Sequence, residues 1–341
     1  MKKHYTLIAM LTSCAVLLCG ETATIDGYTY TYKLVDGGVE LHGVWSGRYA
    51  QHMHIYTPAI IPLPQGHFNI PEVVSDLPVV SIGDYAFWGC SDLTHVTIPK
   101  SVTSIGMLAF DLCTGLEQVT IPSKVTSIGN YAFFNCKNLK SVTIPPTITS
   151  IGGYAFGNTA IWHNHPDGIV YIEGWVVGCK YAITLSGQVV LRDGTRGIAG
   201  GAFADGINMT SIIIPESVKF IANSAFVRSG LVDIAIPEGV MSIGKYTFWG
   251  STNLTSVTIP ASVTSIGEHA FWGCKGLTDV TFSKGVNLMG TATPETLTEI
   301  GERAFWDCDS LINVVMLGNV KSIGKQAFLG CKGLRNARAR S

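Results

Sequence analysis

The sequence predicts a solenoid, a coil of short strands and tight turns wound around one continuous core, and three observations predict it. Ile-Gly pairs recur at Ile82, Ile105, Ile128 and Ile151, each 23 residues after the last, and return at Ile243, Ile266, Ile300 and Ile323; Ile198 and Ile221 fill the same slot with alanine following. A phenylalanine stands five residues after each of them: Phe87, Phe110, Phe133, Phe156, Phe203, Phe226, Phe248, Phe271, Phe305 and Phe328. Between one phenylalanine and the next Ile-Gly lies an alternating stretch such as Val96-Thr97-Ile98 that stops at a proline. A fixed period of this length marks stacked units, none of which can bury its own apolar face alone.

Each element of the unit has its reason. Val96 and Ile98 alternate with polar neighbours, the period of a half-buried strand. Pro99 ends that strand because proline cannot donate to a ladder. Val102 to Ile105 forms a second short extended arm, and Gly106 opens a helical turn carrying Ala109 and Phe110. Alanine suits a place where successive turns lie close, and phenylalanine fills the centre of the coil. At ~4.8 Å per stacked strand, about ten turns make a rod on the order of 50 Å long.

Unit after unit, the pattern resembles the BspA-type leucine-rich repeat, from about Ile82 to Leu334. The resemblance implies an α/β fold: a right-handed leucine-rich-repeat solenoid of about ten 23-residue repeats, with a parallel β-sheet and short helical turns. It also implies a surface or secreted protein working in adhesion or protein interaction, without catalysis.

The flanking segments read differently. Lys2 and Lys3 followed by the uncharged stretch Leu7 to Leu18 read as a signal peptide over 1–23, cleaved near Ala23. Leu11-Thr12-Ser13-Cys14 is similar to a lipobox, which would place a lipid on Cys14, but the apolar run continues past that cysteine. Residues 24–80 read as an N-terminal cap with a stretched first repeat: Tyr28, Tyr30 and Tyr32 form a strand that Gly37-Gly38 turns back toward Val39 to Val44. The solenoid follows over 81–334, and the basic tail 335–341 closes the chain where another strand is due, an edge that would invite pairing. No later stretch has the length of a transmembrane helix.

The repeat is interrupted twice. Phe156 to Phe203 spans 47 residues, with Ile169 to Ile172, Glu173-Gly174 and Trp175 to Val177 reading as a small hairpin. Phe271 to Phe305 spans 34, an insertion of 11 whose glycine, threonine and proline content reads as an exposed loop from Val286 to Thr296.

Composition narrows the function. Twenty-three basic residues against 24 acidic leave no concentrated basic face for nucleic acid. Cys90, Cys113, Cys136, Cys274, Cys308 and Cys331 share one repeat position, three after the phenylalanine, and read as a ladder of packed thiols. His163 and His165 with Asp167 are too few for a metal site, and no phosphate loop, nucleophile elbow or carboxylate pair stands out. No catalytic residue, cofactor or metal is implied. Thr97, Thr120, Thr143, Thr258 and Thr281 form a strand-face column that β propensity explains. The residue after the spine phenylalanine is Trp88, Trp249, Trp272 or Trp306 in four repeats, the last three in consecutive turns. These tryptophans are the candidate ligand-binding residues, for tryptophan is favoured at interfaces; the bland account is an outer packing layer. The expected function is a non-enzymatic exported repeat scaffold mediating protein–protein interaction or adhesion at the cell surface. The alternatives are a glycan ligand held on the tryptophan ladder and a structural spacer.

Overall fold

A computed structural model of the protein describes residues 20–49, 53–283, 297–317 and 320–340. The repeating unit closes around a core in which the spine phenylalanines lie flat on one another. Phe87, Phe110, Phe133 and Phe156 stack at 4.8, 5.1 and 5.4 Å, with ring planes within 11°. Phe203 to Phe328 form a second pile at 5.0–5.5 Å. Nine of the ten are buried and Phe328, in the last turn, is half-buried. Full burial of one such ring stabilises by roughly 1.5–3 kcal/mol.

Hydrogen-bonded ladders run along the rod on its sides. One joins Gly66–Asn69, Leu93–Thr97, Gln118–Thr120 and Ser141–Thr143, all parallel. Its inward residues Val96, Val119 and Val142 are buried, while Thr97, Thr120 and Thr143 are exposed. The second joins two-residue strands in register, Ser104–Ile105 beside Ser127–Ile128 beside Ser150–Ile151. Between the two, each proline opens a tight turn, as where Val102 N–H donates to the Pro99 carbonyl at 3.1 Å. After the interruption the first side carries Gly187–Val190 beside Met209–Ile213 and then Asp233–Ala235 through Asn336–Arg340, and the second carries Gly197–Ile198 beside Phe220–Ile221 and then Ser242–Ile243 through Ser322–Ile323.

The third side is where helical turns are expected, and helix is scarce there. Successive β-turns form it, and their N–H groups alternate in destination. Ala86, Trp88 and Cys90 donate three residues back within the turn, whereas Tyr85, Phe87 and Gly89 donate to Met107, Ala109 and Asp111 of the next turn at 3.0, 2.7 and 2.8 Å. Positive φ at Tyr85 (59°) and Gly89 (74°) aims those donors along the rod. A helix would use every N–H internally; this arrangement gives half of them to a third inter-turn ladder, so the buried backbone stays paired. The Ile-Gly glycine has a separate cause. A Cβ on Gly129 would come within 2.5 Å of the Gly106 carbonyl carbon, so where glycine stacks on glycine the turns approach too closely for a side chain.

At the N-terminal end the second ladder continues into an antiparallel meander of Glu21–Ile25, Tyr28–Val35 and Gly38–Leu41, joined in parallel to Leu77–Ile82. Tyr30 and Tyr32 are buried beneath it, and Phe68 meets Phe87 edge-on at 6.2 Å, ending the ring stack. The expected leader boundary at Ala23 falls inside the first of these strands; Leu7 to Leu18 and Cys14 lie outside the described residues. At the other end, the basic segment read as a tail forms the strand Asn336–Arg340, parallel to Asn313–Leu317. It stands in the repeat's strand position, where the ladder offers a full set of backbone partners to an arginine-rich sequence.

The interrupted unit divides the rod. The hairpin pairs Gly168–Ile172 with Trp175–Lys180 around Glu173 and Gly174, both at positive φ. Trp175 is buried and stacks on Phe220 at 5.9 Å, and the apolar core separates into two clusters at this point. Because the hairpin carries its chain away from the third side, the turn after Ile198 sits directly on the turn after Ile151, with Gly200 N–H donating to the Ile151 carbonyl at 2.9 Å. The third ladder then has a gap. Phe133 N–H reaches the Ala155 carbonyl and Phe203 N–H reaches that of Ala225, but no such bond joins Tyr154 or Phe156 to the following turn.

Candidate functional site: an aromatic ridge on the turn side

The tryptophans that follow the spine phenylalanines come together as a ridge. Trp249 and Trp272 lie 5.8 Å apart, centroid to centroid, with planes tilted 35°; Trp272 and Trp306 lie 5.2 Å apart and nearly parallel. All three are half-buried, neither sealed into the core nor standing clear of it. Trp88 is also half-buried but sits apart in an early turn, its indole N–H donating to the Asp111 carboxylate at 3.1 Å. The Val286 to Thr296 segment expected beside the ridge lies outside the described residues.

A second column supports the first. Residues two before each spine phenylalanine stand next to the tryptophans: Tyr246 meets Trp249 edge-on at 6.3 Å, and His269 lies 4.8 Å from both Tyr246 and Trp272. The Arg303 guanidinium lies 4.7 Å over the Trp306 ring, and that of Arg228 lies 5.8 Å from Trp249. The ridge is therefore a fixed comb of ring edges with cations at both ends. Such cation–π contacts are worth ~0.5–1 kcal/mol when exposed. The sequence reading missed this column; its signal is Tyr85, Tyr131, Tyr154 and Tyr246 recurring at one repeat position.

The shared cysteine position is a hydrogen-bonded column. The thiols of Cys113, Cys136, Cys274, Cys308 and Cys331 donate to the carbonyls of Phe87, Phe110, Phe248, Phe271 and Phe305 at 3.1–3.2 Å. Two repeats place serine there instead, and Ser251 makes the same bond to the Phe226 carbonyl at 3.0 Å. Burial pushes the Cys113 and Cys274 thiols up, which keeps them protonated and chemically quiet. The seven cysteines among the described residues are free thiols. His163 is held by the Asn158 side chain at 2.6 Å, and among the described residues no three His, Cys, Asp or Glu side chains gather as a metal site requires. Nor, among them, is any helix long and apolar enough to cross a membrane.

Stacked β-turns, a ring spine and in-register strands define a repeat scaffold of the leucine-rich class. The chain belongs to the BspA type leucine-rich-repeat family, whose pattern it matches in six copies over residues 65–173 and 196–335, leaving out 174–195 of the interrupted unit. Among solved structures it is similar to a leucine-rich repeat protein from Bacteroides ovatus, 25% identical, with 92% of this chain and 93% of that one covered and a TM-score of 0.34. It is likewise similar to a leucine-rich cell surface protein from Faecalibacterium prausnitzii, 24% identical, with 93% and 94% covered and a TM-score of 0.36. The pneumococcal vaccine antigen PcpA is 16% identical, with 93% and 81% covered and a TM-score of 0.33. No curated protein matches the sequence.

Proposed function

We propose that the protein is an exported, non-catalytic scaffold that holds the Trp249–Trp272–Trp306 ridge against a protein partner in adhesion at a cell surface. The observation that carries this reading is the stacked, half-buried comb itself. Aromatic residues anchored on a rigid element give up little conformational freedom on binding, and tryptophan with arginine dominates interface energetics. Export rests on the charged and apolar N-terminal segment. The comb also favours a protein over a glycan at this place. Each indole face lies against a neighbouring ring or guanidinium, so edges rather than faces point outward, and sugar stacking needs a free face.

The test is the triple Trp249→Ala, Trp272→Ala, Trp306→Ala protein, assayed for folding and for binding to whole cells and to a panel of immobilised matrix proteins. The expected result is a cooperative melt with lost binding. A chain that no longer folds, or one that folds and binds as before, sinks the reading.

A further inference from the structure

We propose that the hollow at the junction of the two ring piles is a second binding site, and that it takes a neutral saccharide. The hollow has a volume of ≈ 750 Å³, within the range of small-molecule sites. It lies where both outer aromatic columns are interrupted: Gly201 and Ser224 replace the tyrosines, and Gly157, Ala204 and Val227 replace the tryptophans.

The interruption frees what the regular array covers. Tyr131 and Tyr154 stack at 5.6 Å with planes within 8°, so one face of Tyr154 is covered and the other, next to Gly201, has no ring against it; Tyr154 is 47% exposed. At the opposite end Tyr246 has His269 on one face at 4.8 Å, and the same repeat position in the preceding turn holds Ser224 in place of a ring. Both tyrosines line the hollow. Three inter-turn steps separate their turns, roughly 14 Å. Two free aromatic faces thus close the ends of a slot whose floor is glycine backbone, including Gly152, Gly153, Gly200 and Gly201. The gap in the third ladder leaves the Tyr154 N–H at the same place.

The polar groups in the slot select the ligand class. Its charged side chains are Asp205 and Arg228, and they neutralise each other: Arg228 Nε and Nη2 donate to the two carboxylate oxygens at 2.6 and 2.9 Å. Arg228 also lies over Trp249, which fixes the fork in place. Its hydrogen bonds hold the Asp205 carboxyl below its ordinary value, so the pair stays ionised. A neutralised fork can still exchange hydrogen bonds with hydroxyls through the remaining lone pairs and N–H groups, yet it supplies no net charge for a phosphate or an acidic chain. A peptide would need a deep apolar pocket for an anchor side chain, and open ring faces over a glycine floor do not make one. A pyranose satisfies every feature, because its C–H face suits the electron-rich face of an aromatic ring and its rim of hydroxyls suits the fork.

The experiment titrates the full chain by calorimetry with maltohexaose, cellohexaose, xylohexaose and mannohexaose. Acidic oligogalacturonides and a tryptic digest of casein serve as competitors. At least one neutral hexasaccharide should bind. Tyr154→Ala and Arg228→Gln should each weaken it about tenfold or more with native melting curves, Tyr154→Phe should keep binding, and Trp272→Ala on the ridge should change nothing. The proposal falls if no neutral hexasaccharide binds, if the acidic or peptide probes bind instead, if the folded variants bind as well as the parent, or if Trp272→Ala removes the binding. Each of these results leaves the protein-binding assay of the ridge as a separate measurement.

Discussion

The tryptophan ridge and the junction hollow use the same two repeat positions to opposite effect. Along the ridge each indole has a ring or a guanidinium against it, with Trp272 and Trp306 only 5.2 Å apart. At the junction those positions hold Gly157, Gly201, Ala204, Ser224 and Val227, and the rings on either side turn a bare face to the gap. A regular stack conceals the faces of what it repeats. Only a break in the pattern exposes them, which is why a solenoid can present a comb of edges and a slot of faces on one side of one rod.

The largest expected effect tests whether the two ring piles behave as stacks. Phe271→Ala, with rings on both sides at 5.1 and 5.0 Å, should cost about 3–5 kcal/mol. Phe156→Ala at the junction stacks on Phe133 alone and should cost less, and Phe328→Ala, half-buried in the last turn, least of all. Urea denaturation midpoints that fall equally for all three would break the comparison.

An intermediate effect sharpens the reading of the cysteine column. Ser251→Ala removes a buried hydroxyl that donates to the Phe226 carbonyl and accepts from Ser229 N–H, and should cost about 1–3 kcal/mol. Ser251→Cys restores the donor found in the neighbouring repeats and should recover most of that loss in the same melt. Equal losses for the two variants would mean that packing, not the hydrogen bond, sets this position.

The smallest effect belongs to the junction fork and concerns pH. The folded Asp205 pKa is lowered by Arg228, so the pair's contribution is present above the unfolded carboxyl value of ~3.9 and fades as pH falls through the lower folded one. Both side chains are more than half exposed, so stability should shift by no more than ~1 kcal/mol across that window. Saccharide binding should hold steady from neutral pH to about 5 and decline only in stronger acid. A decline centred near neutrality would point to a group other than Asp205.

Much of the fold was legible because its signals are local and repeated. The spacing from Ile105 to Phe110, Pro99 after Ile98 and glycine after eight of the ten repeat isoleucines recur often enough to fix the turn, the strand and their order. The third ladder was not legible. Whether Phe87 N–H donates within its own turn or to Ala109 depends on a neighbour 22 residues away, and Gly-x-x-Ala-Phe is compatible with either outcome. The ridge was readable from Trp249, Trp272 and Trp306 at one position. The hollow was not, because it consists of what is missing: Gly201 and Ser224 signal nothing until the column they interrupt is seen in space. The fork was hidden as well, since Asp205 and Arg228 are ordinary charges until consecutive turns bring them to 2.6 Å.

The 34-residue repeat closes its turn as if it had the usual length. Ser265 still pairs with Glu299, Ile266 with Ile300, and Phe305 still stacks on Phe271 at 5.0 Å. Length is thus free at the connection between the two strand ladders, and the ring stack and both ladders keep their register across it. Heredity can work on such a chain in two independent ways. Copying a whole 23-residue module adds a storey without disturbing those below, and splicing foreign sequence into the permissive connection diversifies one storey without moving the rest. For protein engineering, the two residues that stand between Pro99 and Val102 in an ordinary unit become thirteen between Ser283 and Leu297, which marks this connection as the place to graft a loop of choice.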